Sequence, residues 1–278
     1  MRSIVVTGGS GMIGSALCRH AAAMYEIDNL DITQGIDITD ADQVERFIST
    51  SPSSTVIHLA AFVDVSAAHK QWQDKDGLCY RLNVIGTRNV ARACLNSGKH
   101  LIHLSTDFVF DGESTAPHTE DSPTHPIEWY GATKRMAEEE LFASDCSWTI
   151  VRIAFPYTQA PTPKMDLVRT FIATLQSSKQ IRAFSDQVIT PTWMDDVVQG
   201  LMLLADHPQP RQIFHLVGSE SLTPFDLAVK IARFFGFEEH LVEASSLEDY
   251  LKIDPRPRQR CLRISNEKWT RFAQAHGL

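Results

Sequence analysis

Tyr130 and Lys134 are four residues apart in Tyr130-Gly131-Ala132-Thr133-Lys134. If Tyr130 starts a helix, Lys134 lies one turn further along the same face. An ammonium held near a phenol favours the phenolate and lowers the tyrosine pKa towards neutrality. Upstream, Ser105-Thr106-Asp107 closes an apolar strand, and a hydroxyl from Ser105 or Thr106 would hold a carbonyl oxygen in reach of that phenol. Together these groups suit proton transfer to a ketone or from an alcohol. The same spacing in many helices is a packed ring and a solvated amine, so the surrounding elements decide.

The first of those elements is at the N-terminus. The β-branched run Ser3 to Thr7 leads into Gly8-Gly9-Ser10-Gly11-Met12-Ile13-Gly14, with a helical stretch from Ser15 to about Met24. Strand, glycine turn and helix are the context a pyrophosphate-binding fingerprint needs. Gly8 allows the tight turn, Gly11 lets a pyrophosphate approach the backbone, and Gly14 lets helix and strand pack closely. The helix start adds free N–H groups and a positive dipole end. A second strand is expected over Glu26 to Ile32, which puts Asp31 where an acid accepts adenosine ribose hydroxyls; Asp28 competes for that place. No lysine or arginine occurs between Arg19 and Arg46, so NAD(H) is favoured over NADP(H). Asp37 and Ile38 follow at the adenine side, where Asp37 is equally readable as the cap of a helix over Asp40 to Ser49.

Further strands are expected at Thr55 to Leu59, ending in the small residues Ala60 and Ala61, at Lys99 to Ser105, and at Trp148 to Phe155. Helical periodicity covers Leu78 to Asn96 and Tyr130 to Ala143, while Asp111 to Pro126 reads as a loop over the site. His58 reads as a packed strand residue. This alternation predicts an α/β fold, a Rossmann-type doubly wound parallel sheet with its switch point at the strand ends. Residues 1–155 would form the dinucleotide-binding domain, with return segments near 185–205. Residues 156–278, opening on a loop marked by Pro161 and Pro163, would be mainly a smaller α/β substrate lobe.

Composition narrows the class. The chain has 278 residues, 43% of them hydrophobic, and a net charge of −8 with dispersed basic residues. It is long enough for a full core, and its charge argues against nucleic acid or an anionic membrane as partner. Five scattered cysteines without a Cys-x-x-Cys pair indicate reduced thiols, no zinc site and a cytoplasmic setting. A strand follows the N-terminus at once, and no apolar run is long enough to span a bilayer. No metal site is expected. A homodimer is compatible with this reading.

Five pieces taken in order resemble the extended short-chain dehydrogenase/reductase family: Thr7 to Gly14, His58-Leu59-Ala60-Ala61, Asn83-Val84-Ile85-Gly86-Thr87, Ser105-Thr106-Asp107 and Tyr130 to Lys134. Within the family the chain is most similar to reductases of nucleotide-linked 4-keto-6-deoxysugars, through Ser105 to Gly112, Asp186-Gln187 to Thr192, and Arg256-Pro257 to Lys268. The resemblance implies an NAD(P)H-dependent reductase of a sugar nucleotide. Tyr130 would be the general acid, Lys134 would hold the nicotinamide ribose, and Thr106 would bond the sugar ketone. Ser10 to Ile13 would cradle the pyrophosphate, Asp31 the ribose, and Asp37 and Ile38 the adenine side. Ala60, Ala61 and Phe62 would lie beside the cofactor and Leu104 beneath the nicotinamide. Phe155 falls where the family's reductases carry a substrate-facing tryptophan. Asp107 would either touch substrate or hold its loop, and Asn83 would kink its helix. Arg182, Arg256 and Arg258 are candidates for the substrate diphosphate. Phe108 follows Asp107 where the related dehydratases carry a glutamate, which argues against water elimination. Arg260 and the stretch from Ala160 to Lys164 also depart from the reductase pattern, leaving the exact sugar open. A sugar-nucleotide epimerase and a non-catalytic NAD(P)-binding regulatory subunit are the alternatives.

Overall fold

A computed structural model describes residues 2–162 and 164–278, so Pro163 lies outside the described residues. Ile4, Val5 and Val6 are buried on both faces of strand β1 (Arg2–Thr7), as central strands of a parallel sheet require. Around it a six-stranded sheet runs β2 (Tyr25–Leu30), β1, β3 (Thr55–His58), β4 (His100–Thr106), β5 (Ser147–Ile153) and a sixth strand, Gln212–His215. All five pairings are parallel. The chain reverses direction across the sheet between β1 and β3, the switch point where doubly wound sheets bind ligands.

Helices cover both faces. Helix α1 (Met12–Ala21) and the helices Met194–Asp206 and Glu267–Ala275 contribute Leu17, Val197 and Trp269 to one core. On the other face, helix α2 (Ala41–Thr50) packs against Thr87–Asn96 through Val44, Ile48, Val90 and Cys94. A smaller unit holds a separate core. There the helices Leu167–Gln176 and Pro224–Phe235 cover a two-stranded parallel pair, Ile181–Phe184 with Val242–Ser245.

Three boundaries differ informatively from expectation. Helix α1 begins at Met12 with Gly11 as its N-cap, so Met12 to Gly14 belong to its first turn rather than to the loop. Helix α2 is capped by Asp40, whose carboxylate accepts from Asp42 N and Gln43 N; Asp37 instead forms a local turn to Thr39 N. The helical run after Leu78 widens into a π-turn over Arg81–Gly86, which contains Asn83. A π-turn inside an α-helix commonly marks a functional position.

Candidate active site

The glycine loop is shaped by close approach. A Cβ on Gly8, whose φ is +69°, would fall 2.7 Å from Ala60 N and Cα, and one on Gly14 would fall 2.1 Å from the Gly8 carbonyl. Gly11 meets nothing closer than 3.2 Å, so its outer side is open to a ligand. Helix α1 has no side-chain cap, which leaves the N–H groups of Met12, Ile13 and Gly14 without intrahelical partners. Their free hydrogens point where an anion is stabilised.

Asp31 sits immediately after β2, at the mouth of this loop, and is 3% exposed. Its carboxylate accepts from Ser10 N at 2.9 Å, from the Ser10 hydroxyl at 2.8 and 2.9 Å, and from Thr33 N and Oγ1 at 2.9 and 2.8 Å. Burial pushes its pKa up, but these hydrogen bonds outweigh it and hold the group below the usual carboxylate value. The rival Asp28 lies inside the strand and accepts from the Ser51 hydroxyl at 2.5 Å. The Ile38 side chain is 4% exposed, lies in the sheet core and would touch any Cβ placed on Gly86.

Behind the loop runs a buried polar chain that the sequence motifs do not reveal. The Thr7 hydroxyl accepts from Leu59 N and Ala60 N, so its own hydrogen goes to His58 Nδ1 at 2.6 Å. His58 Nε2 is then the protonated nitrogen and donates to Thr87 Oγ1 at 3.1 Å, whose hydroxyl donates to the Asn83 carbonyl at 2.7 Å. Asn83 accepts from Phe62 N at 2.7 Å and donates to Thr133 Oγ1 at 2.9 Å; Thr133 in turn donates to the Tyr130 carbonyl. Burial, then the Lys134 charge, lowers the His58 pKa to about 3, so the ring stays neutral. Glycine loop and tyrosine helix are thereby linked through side chains.

The helix Trp129–Ala143 carries Tyr130 and Lys134 to the end of β4. Gly131 is required there, because a Cβ would lie 2.1 Å from the Phe108 carbonyl. Glu128 caps the helix, accepting from Tyr130 N at 2.8 Å and Gly131 N at 2.5 Å. Thr106 lies beside the phenol; its hydroxyl donates to Asp107 Oδ1 at 3.1 Å and accepts from Phe108 N. Ser105, the other candidate hydroxyl, is committed elsewhere: it donates at 2.7 Å to Glu138, which also receives the buried Arg152 guanidinium in a bidentate pair.

The protonation states differ from a simple tyrosine–lysine pair. Burial drives the Tyr130 pKa well above its ordinary value, against the lowering effect of the Thr106 hydroxyl. The Lys134 ammonium donates to the Leu104 carbonyl at 2.7 Å and lies 3.2 Å from His103 Nε2. Burial lowers the Lys134 pKa to about 8. Burial also raises Asp107 and Glu128 to about 7 each. Asp107 Oδ2 is buried without a partner.

Outside this cluster opens a cavity of about 340 Å³ between the two units, lined among others by Phe108, Glu128, Phe155, Arg182, Arg256 and Gln259. Phe155 adopts φ +40°, a conformation costly for an aromatic residue, and is held there by Thr192 N on its carbonyl. Phe108 packs edge-on against both Tyr130 and Phe155, at 5.9 and 6.0 Å between centroids. Arg256 reaches across to Ser66 Oγ at 3.1 Å. The structure therefore brings Thr106, Tyr130, Lys134 and Leu104 together, and sets Phe155, Arg182 and Arg256 around the adjoining cavity. Sequence reasoning missed Glu128, Gln259 and His103. Only Glu128 carried a signal, an acid two residues before the helix tyrosine. Among the described residues there is no cluster of potential metal ligands and no helix long and apolar enough to cross a membrane.

The model of the RmlD substrate binding domain family matches residues 1–276. The spore coat polysaccharide biosynthesis protein SpsK of Bacillus subtilis is 30% identical over 92% of this chain and 87% of its own length. A dTDP-4-dehydrorhamnose reductase of Mycolicibacterium smegmatis is also 30% identical, covering 91% of this chain and 76% of the relative. Among solved structures, a dTDP-4-dehydrorhamnose reductase of Bacillus anthracis in complex with NADP superposes with a TM-score of 0.87. That protein is 26% identical, over all of this chain and 94% of its own.

Proposed function

The chain belongs to the RmlD substrate binding domain family, among the extended short-chain dehydrogenase/reductases, and on that footing we propose that it reduces the ketone of a dTDP-linked 4-keto-6-deoxysugar. The observation that supports this most is the meeting of Thr106, Tyr130 and Lys134 at the end of β4, beside a glycine loop with free helix N–H groups.

The residues suit a nicotinamide dinucleotide. The open side of Gly11 and the uncapped start of α1 would hold its pyrophosphate, Asp31 its adenosine ribose, and Lys134 its nicotinamide ribose. Ala60, Ala61, Phe62 and Leu104 would flank it, and Asp37 would stand at the adenine side. When bound, the reduced nicotinamide supplies the hydride. The chain supplies the proton and the positioning. A phenol held above its ordinary pKa keeps its hydrogen at neutral pH, the form required of a group that protonates a nascent alkoxide. Thr106 would hydrogen-bond the ketone oxygen once its hydroxyl turns away from Asp107, with Asp107, Phe155, Arg182 and Arg256 contacting substrate. The negative charge of Asp31, without a lysine or arginine between Arg19 and Arg46, supports NADH over NADPH.

The test is oxidation of NADH or NADPH, followed by absorbance, with dTDP-4-dehydrorhamnose and other dTDP-4-keto-6-deoxysugars. Expected is substrate-dependent oxidation, faster with NADH, that is lost in Tyr130→Phe. Cofactor binding without oxidation by any of these sugars would overturn the proposal.

A further inference from the structure

Gln259 lines the cavity beside the catalytic cluster and is 3% exposed. Its side-chain Nε2 is buried and has no hydrogen-bond partner among the described residues. A buried amide donor without a partner is costly, of the order of 1–3 kcal/mol, and native structures rarely keep one without a use. The backbone that carries it is clamped from both units. Its carbonyl accepts from Gln187 Nε2 at 2.8 Å, Cys261 N donates to the Gly112 carbonyl at 2.9 Å, and Val188 N donates to the Arg260 carbonyl at 2.7 Å. Gly112 packs so tightly that a Cβ there would lie 2.6 Å from Gln259 Cβ. The backbone that carries Gln259 is therefore held in place before any ligand arrives.

We propose that Gln259 reads the nucleobase of the nucleotide-linked substrate, through the imide edge of a thymine- or uracil-type ring. The inference rests on the sugar-nucleotide reading of the cavity. A primary amide presents one donor and one acceptor on neighbouring atoms, the complement of a –CO–NH– edge. A diphosphate offers only acceptors, and Arg182 and Arg256, which line the same cavity, suit that charge. The apolar wall from Phe155 and Phe184 suits the ring that such an edge belongs to. Discrimination of this kind is strong, because a ligand lacking the edge leaves the buried amide unpaired.

The experiment measures Kd for dTDP and, separately, for pyrophosphate by calorimetry on the full chain. It compares the wild type with Gln259→Met, which keeps volume but removes both polar atoms, and Gln259→Glu, which keeps an acceptor and loses the donor. The expected result is at least tenfold weaker dTDP binding in both variants, with pyrophosphate binding within twofold of wild type. Thermal stability of Gln259→Met should be unchanged or higher, since an unpartnered donor has gone. Unchanged dTDP affinity in a folded variant overturns the proposal, and so does an equal loss for pyrophosphate, which would place the amide on the diphosphate. A wild-type chain that binds NADH but no dTDP overturns the sugar-nucleotide reading itself, an outcome separate from the other two.

Discussion

The glycine loop and the cavity beside Phe108 and Glu128 are built differently. Around the loop, most side-chain polar groups are already partnered within the chain: Asp31 accepts from Ser10 and Thr33, and a connected series runs from Thr7 to Thr133 by way of the Asn83 carbonyl, while Asn29 Oδ1 beside Gly9 is an exception. Around the cavity and its floor the reverse holds. Gln259 Nε2 and Asp107 Oδ2 are buried without partners, and Phe155 sits in a strained backbone conformation. The first region is mostly self-partnered and offers a ligand the free N–H groups at the start of α1. The second carries groups that a ligand would complete. Substitutions should therefore cost stability on one side and substrate affinity on the other.

The largest effect expected tests the scaffold beneath both regions. Arg152 and Glu138 form a bidentate pair at 3% and 0% side-chain exposure. Arg152→Met should cost about 3–5 kcal/mol, because it strands a buried carboxylate, and urea unfolding measures it. A loss below 1 kcal/mol would show that water reaches this site. Next comes Gly14→Ala. With only 2.1 Å between the added Cβ and the Gly8 carbonyl, the loop must shift, at a cost of about 1–3 kcal/mol together with weakened NADH binding. Unaltered cofactor affinity would break the claim that close approach shapes the loop.

The third prediction concerns pH. Asp107 and Glu128, raised to about 7 from ordinary values of 3.8 and 4.5, bind protons more tightly in the folded chain than in the unfolded one. Their contribution to stability is fully present below those ordinary values and is lost as pH rises to about 7. Lys134, lowered to about 8 from 10.5, works oppositely: its contribution is present above 10.5 and is lost as pH falls through 8. Unfolding midpoints should thus decline between about pH 4 and 7, and Asp107→Asn should flatten that decline. A steeper slope in the variant would mean the carboxyl is ionised when folded. The smallest effect is at the rim, where Ser66→Ala removes one hydrogen bond to Arg256. Substrate KM should change by about threefold or less, with the melting temperature unmoved.

What the sequence disclosed follows the range of each interaction. The glycine loop, the strand ends and the Tyr130–Lys134 turn depend on neighbours within a few residues, and their spacing alone placed them. Asp31 was separable from Asp28 only once the strand ended at Leu30, a matter of one register. The burial of the Ile38 side chain is not legible in sequence, because a short loop does not announce which way a side chain turns. The partners of Lys134, namely His103 and the Leu104 carbonyl, come from a strand 30 residues upstream. The Gln259 environment joins Gly112 and Gln187, far apart in sequence, and no local pattern encodes such a meeting.

The sixth strand, Gln212–His215, pairs with β5 after the chain has left for the smaller unit and returned. During synthesis the first 155 residues emerge with β5 as an open edge, its backbone groups unpaired on one side and Trp269 still to be made. An exposed edge of this kind is where nascent chains associate wrongly. Closure of the six-stranded sheet thus waits for Gln212–His215, which makes it a late, non-local step.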